Sequence, residues 1–296
     1  MSPEALVIEA LFRIQNKEKQ TVDFILNPSQ KKYDAQRTKR DIICKPRQKG
    51  FSSLRVAIQT IKCMGEANTR AVLISHEAKA TQRLLDKARF YIDHMRSGDK
   101  PTLGRRSRNE FYFPRTESTF YIGTAGAGAL GRGDTITDLH ISEYAWWESD
   151  ALEHVAGLFQ SVPLSGTICI ESTGHGRAND FYSMVKNHRN LGYNVFFVGW
   201  WEDDEYQLEV PEPLRGRWSP VGFERYFDRM ADKYNLSEEQ LYWYWIKLNE
   251  FRRNLKYMQQ EYPSNLQECF QATGGAVFPD VVLTEANQWV EEYKYA

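Results

Sequence analysis

The 296-residue chain has no run of about 18 apolar residues, so no helix crossing a bilayer is expected. Its first twenty residues, MSPEALVIEALFRIQNKEKQ, lack the basic-then-apolar layout of a secretory signal. Cysteine is scarce: Cys44, Cys63, Cys169 and Cys269 lie far apart with no CxxC spacing. That pattern argues for a reducing interior and against a structural zinc site, so a cytoplasm is the expected place of work. No charge of one sign dominates either. The formal net charge is −1, so only a local basic patch could grip nucleic-acid phosphates. Internal repeats and low-complexity runs are absent. What is present is the composition of a folded protein, 42% apolar and 26% charged, long enough for one large domain or one and a half.

Short β-branched runs alternate with helical stretches. A short amphipathic helix is expected over 4–14 and another from Ser29, after an extended segment ending at Pro28. Strands are expected at 41–44, 70–75, 135–142, 167–171 and 194–199, with two more in 111–125 around a polar turn at 115–117. Helices are expected at 52–64, 77–95 and between the 135–142 and 167–171 strands. The alternation implies an α/β fold: a mostly parallel central sheet with helices on both faces. Beyond about Tyr206 two long helical stretches follow, 219–234 and 237–262, read as a helical lid or linker. The aromatic run Tyr242-Trp243-Tyr244-Trp245 is expected to serve core packing there.

The stretch DIICKPRQKGFSSLRVAI sets a strand, a polar turn with Gly50, hydroxyls at Ser52 and Ser53, and a helix in the order a phosphate-binding loop needs. Backbone N–H groups at the helix start would hold phosphates, a cation would neutralise them, and a hydroxyl would bind magnesium. The common spelling G-x-x-x-x-G-K-[ST] is departed from twice: Lys45 stands at the first glycine position and Phe51 at the lysine position. Ser52 falls where the magnesium hydroxyl belongs. Lys45, Arg47 and Lys49 each offer the missing cation, and Gln48 completes the turn. The plainer alternative is a basic turn opening a helix.

An ATPase also needs a carboxylate beside the attacking water, at the end of a strand next to the phosphate-loop strand. TITDLHISEYAWWES ends such a strand in Ser142-Glu143, with Glu143 the candidate and Asp138 or Glu171 its substitutes. The usual pattern has an Asp before the Glu to hold magnesium; Ser142 stands there, so metal binding is expected to lean on Ser52, Glu143 and solvent. In the next strand, ICIESTGHG, Ser172, Thr173 and Gly174 read as a loop facing the nucleotide. In helicase-like motors such a motif senses the γ-phosphate and couples hydrolysis to movement. His175 is assigned no chemistry.

In order and spacing, KPRQKGFSS, ISEYAWW and ESTGHG resemble the deviant phosphate loop, catalytic acid and coupling motif of tailed-bacteriophage large terminases, over roughly residues 20–280. FFVGWWEDDEY and QQEYPSNLQECFQATGGAVF extend the likeness. The resemblance implies a P-loop NTPase of the ASCE type, with an ATPase core over 1–206, a helical lid or linker over 207–280, and 281–296 beginning a connection to a nuclease domain. It implies ATP and Mg2+ as ligands, and an adenine contact from Gln30 in Asn27-Pro28-Ser29-Gln30. Arg132, in the glycine-rich TAGAGALGRGDT, would complete the ATP site of a neighbouring subunit. Double-stranded DNA, a portal protein, a small terminase subunit and further copies in a ring are the implied partners, at the procapsid in the host cytoplasm and with no membrane. Arg105, Arg106 and Arg108 form the densest basic cluster, either a solvated loop or a grip on DNA phosphates. A strand-separating translocase and a non-hydrolysing scaffold with a degenerate loop are the rival readings.

Overall fold

The computed structural model describes residues 1–96, 98, 100–124, 135–147 and 151–271. α1 (Pro3–Leu11) leads into an antiparallel hairpin of β1 (Arg13–Gln15) and β2 (Thr21–Asp23), then α2 (Pro28–Gln36). α2 starts where the sequence supplies a capping box: Asn27 caps, Pro28 opens the first turn, and the Gln30 side chain reaches back to the Asn27 N–H. The chain continues through β3 (Arg40–Cys44), α3 (Phe51–Gly65), β4 (Arg70–Ser75) and α4 (Ala78–Asp93). β5 (Arg105–Arg106), β6 (Glu110–Phe113), β7 (Ser118–Thr124) and β8 (Asp138–Ser142) follow. α5 (Ala151–Ser161), β9 (Thr167–Ser172), α6 (Asp180–Lys186) and β10 (Asn194–Phe197) complete the sheet region. The last helices are α7 (Glu224–Tyr234), α8 (Glu238–Glu250) and α9 (Leu255–Glu261).

Among the described residues the central sheet has eight strands in the order β10-β3-β9-β8-β4-β7-β6-β5. It is parallel from β10 to β7, and only the β6 and β5 edge runs antiparallel. Strands apolar on both faces demand cover on both faces. Ile43, Ala71 and Leu73 point into one core with Ile8, Leu54, Ile58 and Leu85 of α1, α3 and α4. Their neighbours Ile42, Cys44, Val72 and Ile74 point into the other, against Val155 and Leu158 of α5 and Phe181 and Met184 of α6. A third, aromatic core gathers Trp200, Tyr206, Phe227, Trp243, Tyr244 and Met258, so the 242–245 run serves packing and the last helices seat on Trp200 and Tyr206.

Three expectations need correction. The acid strand β8 is not next to β3, because β9 lies between them with hydrogen-bonded partners on both sides. The run TICIES is buried at five of six positions, as a strand flanked on both sides by β3 and β8 must be. The 237–262 stretch is not one helix either. Arg252 and Arg253 adopt left-handed φ of 52° and 60°, which breaks the α-helical path, and Asn254 caps α9 as a new start. α1 also stops at Leu11, short of the expected residue 14, because Arg13–Gln15 pairs with β2; that hairpin and β5 were not anticipated.

Candidate functional site

The C-terminal ends of β3, β9 and β8 meet at the start of α3, the crevice where open parallel sheets bind ligands. The loop 45–50 leaves β3 and turns into α3 at Gly50, whose φ of +72° and lack of a side-chain cap leave the first helical N–H groups available. A Cβ on Gly50 would also stand 2.8 Å from the Gln30 amide nitrogen. That nitrogen donates to the Gly50 carbonyl at 2.8 Å, and Asn27 donates to the Lys49 carbonyl at 3.3 Å. Gln30 and Asn27 thus clip the loop from outside. Phe51, at the usual lysine position, is buried against Tyr33 and Phe196 and anchors the helix start.

The three basic candidates part company. Lys45 turns into the site: its Nζ lies 3.0 Å from Glu143 Oε1 and 3.1 Å from Glu171 Oε2. Burial works against its charge, but the two carboxylates outweigh that and hold it well above its ordinary pKa. Lys49 turns away, its ammonium paired with Asp203 at 2.7 Å and lying over the Tyr206 ring. Arg47 pairs with Glu261 at the end of α9. Gln48 is exposed with φ 56°.

Glu143 follows β8 in a left-handed conformation, φ 55°. Its Oε2 accepts from the Thr173 N–H at 3.4 Å and the Ser172 hydroxyl at 3.5 Å. Trp146 donates to the Thr173 hydroxyl at 2.8 Å and stacks on His175. A Cβ on Gly174 would stand 1.7 Å from the Cys269 carbonyl oxygen, so the loop after β9 passes directly against that segment. The tip of β9 therefore touches the acid on one side and the chain beyond α9 on the other.

Ser52 donates to Glu171 Oε1 at 2.5 Å, and Ser142 donates to the same oxygen at 2.8 Å. Glu171 is fully buried, which alone would raise its pKa. Lys45, then the nearby His140 ring at 3.4 Å and the hydrogen-bonded Ser52, hold it well below the usual carboxylate range. Burial keeps the His140 ring below its ordinary pKa, with Glu171 opposing. Ser53 accepts from Lys87 of α4 at 2.6 Å, and burial depresses that lysine.

No family model matches the chain, and no curated protein matches it. Among solved structures, the HK97 bacteriophage large terminase aligns with 89% of this chain and 55% of that one, at a TM-score of 0.60 and 11% identity. The fold is that of a large terminase. This chain thus spans about half the length of the HK97 protein. The Thermus phage P74-26 large terminase ATPase domain overlaps more loosely, at 15% identity over 77% of this chain and 88% of that one, with a TM-score of 0.47. The large terminase from a thermophilic bacteriophage, in complex with ADP, does likewise, at 10% identity over 62% and 44%, with a TM-score of 0.43.

On this large-terminase fold, Arg105 and Arg106 form the outermost strand, far along the sheet from the crevice, with Arg108 exposed beside them. They pair with Glu110 at 3.3 Å and Asp93 at 2.5 Å. Arg132 and the 281–296 segment lie outside the described residues. Asp138 sits at the opposite end of β8 from Glu143, buried between Arg55 and Lys62. Sequence reasoning missed Lys87, Asp203 and His140, and it considered Glu171 only as a substitute for Glu143. Only the ladder register, with Ser142 beside Glu171, could have singled out Glu171.

Proposed function

We propose that the chain is an ATP-hydrolysing motor that drives double-stranded DNA translocation in phage genome packaging. The convergence of Lys45, Glu143, Ser172 and Thr173 at the start of α3 carries the reading, since 98 residues separate the first two. The free N–H groups of α3 receive ATP phosphates, and Lys45 neutralises them. Glu143 orients the attacking water and takes its proton, steadied by the Thr173 N–H and the Ser172 hydroxyl. Because those groups belong to the tip of β9, a γ-phosphate contact there is felt at the acid and, through Gly174, at the Cys269 segment.

Hydroxyl and carboxylate oxygens suit a hard cation, and Ser52 beside a buried carboxylate offers both, so the residues fit magnesium. Bound with ATP, magnesium neutralises charge developing on the phosphates. Both amide ends of Gln30 are engaged, by Asn27 and by Gly50, so its first role on this reading is to shape the loop. On the same reading Arg105, Arg106 and Arg108 meet DNA phosphates, and Arg132 serves the ATP site of an adjacent copy in a ring. A portal protein and a small terminase subunit complete the packaging complex in the host cytoplasm.

ATP turnover by the intact chain and by its Glu143→Ala variant tests the proposal. Hydrolysis is expected to fall by about two to four orders of magnitude with nucleotide affinity retained. Equal turnover by the variant would remove Glu143 from the chemistry, and no turnover by either chain would favour a scaffold.

A further inference from the structure

We propose that Glu171 supplies the carboxylate that holds nucleotide-bound magnesium, a task that position 142 cannot perform with a serine. The inference rests on the reading of the 45–53 loop as an ATP site. Ser142 and Glu171 are direct partners across the parallel β8–β9 ladder. A carboxylate moved from 142 to 171 is therefore displaced by one strand spacing, about 4.8 Å, at the same height in the sheet. The longer glutamate side chain reaches back across that gap: its Oε1 takes both the Ser142 and the Ser52 hydroxyls. Ser52 is the hydroxyl at the helix start, and it faces Glu171 rather than Glu143.

The charge balance points the same way. Glu171 is completely buried, and a buried carboxylate is tolerated only with a counter-charge. Lys45 supplies it here, and the Glu171 Oε2 takes no hydrogen bond outside that ion pair. Lys45 is also the one loop cation turned into the site, so phosphate binding draws it away from Glu171. The carboxylate left behind needs a replacement cation, which a magnesium–nucleotide complex brings.

The test is calorimetric binding of ATPγS to the intact chain in magnesium and in EDTA, read as the ratio of the two affinities. In Glu171→Gln the magnesium enhancement is expected to fall about ten- to a hundredfold, the range for losing a partner of a bound metal. The EDTA affinity is expected to hold or rise, because Lys45 loses a competitor. Ser142→Asp in the Glu171→Gln background returns a carboxylate to the neighbouring position and is expected to restore the enhancement. If Glu171→Gln does not melt cooperatively, Glu171→Asp keeps the charge for Lys45 while drawing the carboxylate back. An enhancement equal to wild type in either folded variant overturns the inference and leaves the ATP site standing. Equal losses with and without magnesium also overturn it, since they would make Glu171 a counter-ion to Lys45 alone. If wild type binds no nucleotide, the ATP reading itself fails.

Discussion

Arg47 in the loop between β3 and α3 and Glu261 at the end of α9 form an ion pair across 214 residues of sequence. The Glu261 side chain is fully buried while that of Arg47 is half exposed. The Arg47 N–H also donates to the Glu261 carbonyl, and the Tyr206 hydroxyl donates to the Arg47 carbonyl at 2.6 Å. The last helices therefore hold the loop by backbone as well as by charge. Arg47→Ala strands a buried carboxylate and should cost about 1–2 kcal/mol, below the roughly 3–5 typical of fully buried pairs because solvent already reaches the arginine. Urea titration of Arg47→Ala, Glu261→Gln and the double variant checks this. Simple additivity of the two effects would mean that the pair is not coupled.

Lys45 and Lys49 should separate cleanly. Lys45→Ala removes the cation that faces the site, and turnover per folded molecule should drop about a hundred- to a thousandfold, as for other preorganised electrostatic groups. Lys49→Ala strands Asp203 and empties the space over Tyr206, so it should lower the melting temperature with little change in turnover per folded molecule. Melting curves alongside turnover of the refolded fraction distinguish the two. The opposite pattern would exchange their roles.

Much of the fold was legible because local signals and final environment agree. RAVLIS reads as a buried strand and forms β4 over those six residues, and Asn27-Pro28-Ser29-Gln30 reads as a helix start and caps α2. What stayed hidden depends on partners distant in sequence. Nothing near Lys49 announces Asp203, and nothing near Arg47 announces Glu261, so the three loop cations looked alike. The insertion of β9 between β3 and β8 is a matter of topology, and only that register sets Glu171 beside Ser142. The break after α8 rests on two arginines in left-handed conformations, which their side chains do not signal.

Asp138 should govern part of the acid sensitivity. It is buried between Arg55 at 2.8 Å and Lys62 at 2.7 Å. Burial alone would raise its pKa, but those charges outweigh it and hold the carboxyl below its ordinary 3.8. The folded chain then binds fewer protons here than the unfolded one. Its contribution is complete above pH 3.8 and is lost as pH falls toward the lower folded value. Asp138→Asn should cost about 3–5 kcal/mol at neutral pH, because the Arg55 guanidinium is left buried and unpaired. It should also flatten the stability profile below pH 3.8, measured by denaturation across an acid series. A profile as steep as wild type would assign the acid sensitivity to other carboxylates.

The arginines of β5 carry the prediction about DNA. Arg105 and Arg106 are exposed at the outer edge of the sheet, but each already faces a carboxylate, Glu110 for the first and Asp93 for the second. Arg106 holds Asp93 below its usual pKa, so that carboxylate is charged and competes with phosphate for the guanidinium. DNA binding at β5 must therefore displace these partners, which makes the two substitutions act in opposite directions. Arg105→Ala with Arg106→Ala should weaken double-stranded DNA association with little sequence dependence. It should also lower the slope of log affinity against log salt by up to about 1.8, or roughly 0.9 for each phosphate that an arginine no longer neutralises. Asp93→Asn releases Arg106 from its partner and should tighten binding with the slope preserved or steeper. Fluorescence anisotropy on one duplex across a salt series reads both effects. Should the double alanine variant keep the wild-type slope and Asp93→Asn leave the affinity unchanged, β5 lies off the DNA path and its arginines serve only Glu110 and Asp93.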